Sequence, residues 1–342
     1  MPPERPSSSP ARPPTPPTPR CRYAPSPTGS LHLGNARTAL LAFLQARALG
    51  ASLVLRIEDL DEPRTVPGAT EAILADLAWL GIGWDEGPDV GGARGPYLQS
   101  RRLDHYERAL AALTAQGRVF ECFCSRADLQ RAASAPHPGE EGPRYPGTCR
   151  DLSAGARAER VRRHPGRPGA LRLRVASGPI AFEDAVAGHQ SFDLAATCGD
   201  FVLRRADGLF AYQLAAAVDD GLMGITHVLR GDDLLSSTPR QIALLGCLGL
   251  PVPAYAHVPL LLGEDGRKLS KRLGSQTIAA LRARRIEPER VVAALAHSAG
   301  LTARQRVRAD ELIEGFSLSR LARAPSALAP GCLDLDLDHD HG

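Results

Sequence analysis

Only two of the 41 basic residues in this chain are lysines, Lys268 and Lys271, and both fall in one short stretch, "GRKLSKR". The rest are arginines, so wherever either cation would serve, arginine has been used. Two positions that keep an ammonium point to chemistry that a compact, flexible point charge performs better than a planar fork. With the hydroxyl of Ser270 between them, they suit the β- and γ-phosphates of ATP, where charge builds as pyrophosphate leaves. The plainer alternative is a basic surface hairpin after the turn at Glu264-Asp265-Gly266.

A second constellation lies far upstream, in "RYAPSPTGSLHLGNARTAL", residues 22–40. A strand, a loop broken by proline and glycine, and a helix reading from Ala36 bring bare backbone N–H groups and a positive helix end together, as phosphate binding requires. Gly29 and Gly34 let the backbone approach closely, and Pro25 and Pro27 stiffen the approach. His32 adds a side-chain donor for charge on a phosphoryl group in transfer. A proline-braced turn carrying a surface histidine is the alternative here. The third group is Cys122, Cys124 and Cys149, in "ECFCSRADL" and "PRYPGTCRDL". Three thiolates at this spacing hold zinc if a fourth ligand closes the tetrahedron, and otherwise are ordinary buried thiols. Cys21, Cys198, Cys247 and Cys332 read as lone thiols.

The elements that must position these groups follow from periodicity. A strand at 21–24, a helix over 36–49, a buried strand in "ASLVLRIED", and amphipathic helices in "GATEAILADLAWLGI" and "RRLDHYERALAALTAQG" give the alternation of a parallel α/β sheet. The pattern stops near residue 118, and residues 119–190, rich in Pro, Gly and Arg, read as an inserted module. It resumes over 191–274 with "DFVLRRADGLFAYQLA", read as a hairpin, a strand at "THVLRG", a helix over 237–248 and a strand at "AHVPLLLG". Residues 275–330 read as helical. The Pro-rich residues 1–20 read as a solvated, polyproline-like arm, and 331–342 as an acidic tail.

Composition excludes several classes. The chain is long enough for more than one core, and its 43% hydrophobic content is that of a globular protein. The formal charge of +3 is compatible with a polyanionic partner. Seven cysteines, an odd number without a regular framework, suit a reducing compartment. No apolar run approaches the ~20 residues that span a bilayer, and residues 1–20, without an apolar run, do not read as a secretory signal. A cytoplasmic, monomeric protein without a membrane partner is the expectation.

Together, "PSPTGSLHLGNARTA" and the distant "KLSKR" resemble the paired signatures of class I aminoacyl-tRNA synthetases, and "RYAPSPTG", "LRIEDLDEPR" and "LRGDDLLSSTPRQIALL" are most like the glutamate-activating branch. The resemblance covers about residues 20–325. It implies a Rossmann-like catalytic domain that binds ATP, with Mg2+, through His32, Gly34, Asn35, Lys268, Ser270 and Lys271, of which His32, Lys268 and Lys271 stabilise the transferring phosphorus. It also implies an L-glutamate pocket of Arg22, Tyr23, Ala24, Pro25, Ser26, Glu58, Tyr212 and Arg230. Glu58 would take the α-ammonium, and Arg22 and Arg230 the carboxylates. For Glu58 the structural alternative is an Arg partner within "RIEDLDEPR". Glutamyl-queuosine tRNA(Asp) synthetases carry a Cys-x-Cys, Tyr, Cys zinc site in this inserted module, matched here by Cys122, Cys124, Tyr145 and Cys149. That implies one structural Zn2+. Asn35 departs from the general signature, which has a second histidine there, and Leu269 replaces the usual methionine.

The stretch after Lys271, residues 272–342, is shorter than the ~100 residues of an ordinary separate domain. The expectation is therefore an enzyme without an anticodon-binding domain, which activates glutamate without tRNA and transfers it to the queuosine base of tRNA(Asp). The alternatives are a short conventional enzyme charging tRNA(Glu) or tRNA(Gln), and a non-catalytic RNA-binding paralogue.

Overall fold

The computed structural model describes residues 18–132, 144–163, 165–166, 168–263, 277–328 and 333. Three segments of the sequence reading fall outside these: the catalytic "KLSKR" stretch with Lys268, Ser270 and Lys271, most of the Pro-rich arm, and most of the acidic tail. Strand β1 (Arg20–Tyr23) leads through the loop into helix α1 (Leu33–Ala48), followed by β2 (Ser52–Leu55), α2 (Ala69–Trp79) and α3 (Leu103–Ala115). Helix α1 is apolar on nearly every side, with eleven buried residues, so it becomes the spine of the core rather than a surface helix. It packs between the sheet and a later helix, in a cluster that includes Leu40, Leu44, Leu53, Val292 and Leu295.

Next come β3 (Val119–Cys122), α4 (Arg126–Ala132), α5 (Ala154–Arg163), β4 (Ala170–Leu173), β5 (Pro179–Asp184), β6 (Gly188–Asp193), α6 (Leu194–Thr197) and β7 (Val202–Arg204). The chain continues through α7 (Tyr212–Leu222), β8 (His227–Gly231), α8 (Thr238–Leu248), β9 (Ala254–Val258), β10 (Leu261–Leu262), α9 (Ile278–Ala283), α10 (Pro288–Ser298) and β11 (Ser326–Ala327). The main sheet runs β2-β1-β8-β9-β5-β6. Its first five strands are parallel, and β6 closes one edge antiparallel to β5. A separate sheet, β3-β4-β7, is antiparallel.

Four expectations change. Residues 119–190 are not one contiguous insert: β5 and β6 join the main sheet, whereas β7, beyond residue 190, belongs to the small one. The second half of "DFVLRRADGLFAYQLA" is helix α7, with only a bridge between Arg204 and Phe210 left of the hairpin. Helix α1 starts at Leu33, not Ala36, because His32 caps it, its Nδ1 accepting from the Asn35 N–H. Beyond α10, residues 299–328 form 3-10 turns and the short β11 rather than continuous helix.

Candidate active site

In the strand order the connection from β1 through α1 runs outward to β2, whereas that from β8 through α8 runs the other way to β9, so a crevice opens outside the carboxyl ends of β1 and β8. A cleft of about 450 Å³ fills that crevice, within the usual range for small-molecule sites. Arg22, Tyr23, Ala24, Pro25, Ser26, Glu58, Tyr212 and Arg230 line it, and so do His32, Gly34 and Asn35. Every residue expected to bind ATP or glutamate and lying among the described residues thus faces one space.

At one end stands the start of α1. Because His32 Nδ1 accepts a backbone N–H at 3.3 Å, the ring in its neutral form carries its proton on Nε2. A Cβ on Gly34 would come within 3.2 Å of that ring, so glycine lets the histidine fold back over the first helical turn. Gly29, at φ +126°, supplies the left-handed turn that aims the loop. Tyr23 donates to the Asn35 carbonyl at 3.1 Å, tying the strand end to the helix start. The two signatures are also joined through the backbone: Ile278, just after the lysine stretch, donates its N–H to the Leu31 carbonyl at 2.9 Å.

At the other end the expected Arg22, Glu58 and Arg230 are backed by charges that sequence reading missed, Asp219, Asp220 and Arg102. Arg56 is fully buried and bonds Asp220 at 2.7 Å and Glu58 at 3.2 Å. Asp219, also fully buried, accepts from Arg102 (2.6 Å), Gln99 (2.8 Å) and Tyr106 (2.8 Å). Burial works against the charge on Asp220, but Arg56 and Arg22 outweigh it and hold its pKa below the ordinary value. Glu58 goes the other way: burial raises its pKa, against the pull of Arg56 and Arg22. The Arg partner named as the alternative for Glu58 is therefore present, as Arg56, while Glu58 still faces the cleft. Arg22, 4% exposed, reaches only to 3.5 Å from Asp220, and its Nε has no hydrogen-bond partner. Arg230 is held on three sides, by His257, Tyr212 and Thr238.

Arg37, Thr28, Thr38, Arg64 and Asp233 also line the cleft and were not singled out by sequence. An arginine in the apolar first half of a helix that reads as core was the available signal for Arg37. It donates to the Pro259 carbonyl at 2.6 Å, and burial lowers its pKa to about 10.

The small sheet carries the cysteine cluster. The sulfurs of Cys122, Cys124 and Cys149 all lie within 4.8 Å of one another, with Cys124 and Cys149 3.7 Å apart. Sulfurs bound at ~2.3 Å to one tetrahedral ion would stand about 3.8 Å apart, so this donor set fits a metal ion. The Tyr145 hydroxyl accepts the Cys149 N–H at 2.8 Å and shares the cluster with Phe120. Hydrogen bonds from Cys149 and Tyr145 favour the Cys122 thiolate and pull its pKa below the ordinary thiol value, despite burial. Cys21, by contrast, is pushed up to about 12 by burial and is an inert core thiol. Cys198 and Cys247 lie outside the cluster, and Cys332 lies outside the described residues. Among the described residues no helix is long and apolar enough to cross a membrane.

The family profile for tRNA synthetases class I (E and Q), catalytic domain, matches residues 19–334. The chain is 55% identical over 306 residues to the glutamyl-Q tRNA(Asp) synthetase of Symbiobacterium thermophilum, covering 89% of this chain and 94% of that protein. It is 48% identical to glutamate–tRNA ligase 2 of Acidithiobacillus ferrooxidans, covering 90% of this chain but 64% of that one. The crystal structure of a glutamate-tRNA synthetase from Elizabethkingia anophelis superposes with a TM-score of 0.79 at 30% identity, over 92% of this chain and 69% of the other. The chain therefore belongs to the class I tRNA synthetases of the E and Q type and groups with the glutamyl-Q tRNA(Asp) synthetases.

Proposed function

We propose that the protein activates L-glutamate with ATP and passes the glutamyl group to the queuosine base of tRNA(Asp). The observation that carries this reading is one cleft holding a capped helix N-terminus at one end and Arg22, Arg230 and Glu58 at the other. That pairs a phosphate site with a site for two carboxylates and an ammonium. The name of the 55% identical relative supports the choice of acceptor.

In the first step a glutamate α-carboxylate oxygen attacks the α-phosphorus of ATP. The bond to the bridging oxygen breaks, and pyrophosphate leaves with its electron pair. Arg22 and Arg230 hold the carboxylates and Glu58 the ammonium, so the reacting oxygen is presented rather than found. The His32 Nε2–H and the first N–H groups of α1 stabilise the pentacoordinate phosphorus. Lys268 and Lys271, outside the described residues, supply charge for the leaving pyrophosphate, whose Mg2+ comes with the nucleotide. In the second step a hydroxyl of the queuosine cyclopentene ring attacks the acyl carbon, AMP leaves, and the hydroxyl proton is released. Acting on tRNA in the cytoplasm, the enzyme would use the small sheet as a rigid module.

Glutamate-dependent exchange of pyrophosphate into ATP tests this directly. Exchange without any tRNA is the expected result. Exchange that appears only with tRNA(Glu) would instead make the chain a conventional charging enzyme, and no exchange under either condition would end the synthetase reading.

Cys122, Cys124, Tyr145 and Cys149 are proposed to hold one structural zinc, which when bound cross-links β3 to the loop before α5. Elemental analysis of purified protein is expected to give about one zinc per chain, and Cys122→Ser to lose it at least ~10-fold, with a lower thermal midpoint. A wild-type protein that is folded and essentially zinc-free would remove the metal from the account.

A further inference from the structure

Arg230 and His257 are register partners on adjacent parallel strands, β8 and β9, and both side chains are buried. Arg230 Nε donates to His257 Nε2 at 3.0 Å. A guanidinium has no acceptor, so that ring nitrogen must be bare and the imidazole proton must sit on Nδ1. Nδ1 lies 2.6 Å from Asp184 Oδ2. The other oxygen, Asp184 Oδ1, accepts the backbone N–H groups of Val186 (3.0 Å), Ala187 (2.8 Å) and His257 itself (3.0 Å). Burial opposes the charge on Asp184, but these donors prevail and lower its pKa. The chain Asp184–His257–Arg230 therefore has one consistent proton arrangement, with the carboxylate charged and the histidine neutral.

We propose that His257, oriented by Asp184, is a positioning residue that fixes the plane of the Arg230 guanidinium and thereby sets the affinity for the substrate's carboxylate. The proposal rests on the reading that Arg230 takes a carboxylate of glutamate. Three of the five N–H donors of Arg230 are spoken for by His257, Tyr212 (3.3 Å) and Thr238 (2.8 Å). Holding an arginine at Nε and at both terminal nitrogens leaves it no alternative rotamer, so the remaining donors meet the ligand without loss of side-chain freedom. Asp184 is the last residue of β5, in the β5–β6 hairpin at the edge of the main sheet. That places the far end of the relay in a segment remote in sequence from every glutamate-site motif.

Steady-state exchange kinetics on three full-length variants test this, alongside Arg230→Gln. Asp184→Asn is nearly isosteric and keeps an oxygen for the backbone donors. Its amide turned toward Nδ1 donates, which forces the imidazole proton to Nε2, against the Arg230 Nε–H. His257→Leu removes the acceptor, and His257→Gln restores one. The expected result is a glutamate KM raised ~10–100-fold in Asp184→Asn and His257→Leu, ATP KM within about twofold of wild type, and His257→Gln within about threefold for both. A glutamate KM unchanged in Asp184→Asn and His257→Leu, while Arg230→Gln raises it, overturns the relay and leaves the carboxylate site standing. Equal increases in both KM values, or failure of His257→Gln to restore glutamate affinity, also overturn it by making the role merely structural. An unchanged glutamate KM in Arg230→Gln overturns the carboxylate site itself.

Discussion

Asp219→Ala is expected to lower the stability of the protein by about 3–5 kcal/mol, the range for removing one partner from a buried charge network. Asp219 is fully buried and accepts from Arg102, Gln99 and Tyr106, with Arg56 Nε a further 3.7 Å away. These donors come from α3, the turn before it and the end of β2, so a single carboxylate on α7 gathers the cleft's supporting wall. Alanine would leave Arg102 with only carbonyl acceptors and strip Tyr106 of its partner, and water cannot reach either group. Unfolding entropy scales with chain length, so for a protein of this size the thermal midpoint should fall by roughly 5 °C. Asp219→Asn, which keeps the volume and one acceptor, should lose less. A midpoint within ~1 °C of wild type in the alanine variant would show that the network contributes little.

The site loop was legible in the sequence because its chemistry is local: Arg22, Tyr23, Pro25, His32 and Gly34 lie within one stretch, and strand, turn and helix follow from that stretch, although the cap by His32 starts the helix at Leu33 rather than Ala36. The parallel sheet was legible from the spacing of its apolar runs. Helix α7 was not, since "LFAYQLA" is a short apolar run that suits either a buried strand or a buried helix. What decides it lies further on, where α7 buries Leu214, Ala215, Ala217 and Val218 in an apolar cluster with Tyr106, Leu110, Leu244 and Leu245 and brings Asp219 and Asp220 inward. Those two aspartates had no local signal of their role, because their partners Arg56 and Arg102 are more than a hundred positions away. The same holds for Asp184 and His257, 73 positions apart and joined only by the order of strands in the sheet. The cysteines are an intermediate case: spacing offered the three thiols, and what holds the loop of Cys149 against β3 is non-local, Tyr145 packing on Phe120, donating its N–H to the Cys198 carbonyl and accepting the Cys149 N–H.

Arg22→Met is expected to abolish most glutamate-dependent activity while leaving the protein as stable as before, or more so. The side chain is 4% exposed, yet its Nε has no hydrogen bond and its nearest carboxylate, Asp220, is 3.5 Å away. Asp220 is already bonded to Arg56 at the shorter 2.7 Å, so it compensates Arg22 only in part. A half-compensated buried cation is a cost to the empty protein, and a ligand carboxylate is what relieves it. Methionine has a similar reach without the charge, and Asp220 would keep Arg56 as its partner, so the substitution strands no group. Losing a charge-assisted contact of ~3–4 kcal/mol should lower kcat/KM for glutamate by about 10²–10³-fold. Activity and stability should then move in opposite directions, the mark of a residue kept for its ligand rather than for its fold. Thermal melts and exchange kinetics on the same preparation decide it. A fall in both would make Arg22 part of the buried scaffold, and exchange kinetics near wild type would exclude it from the glutamate site.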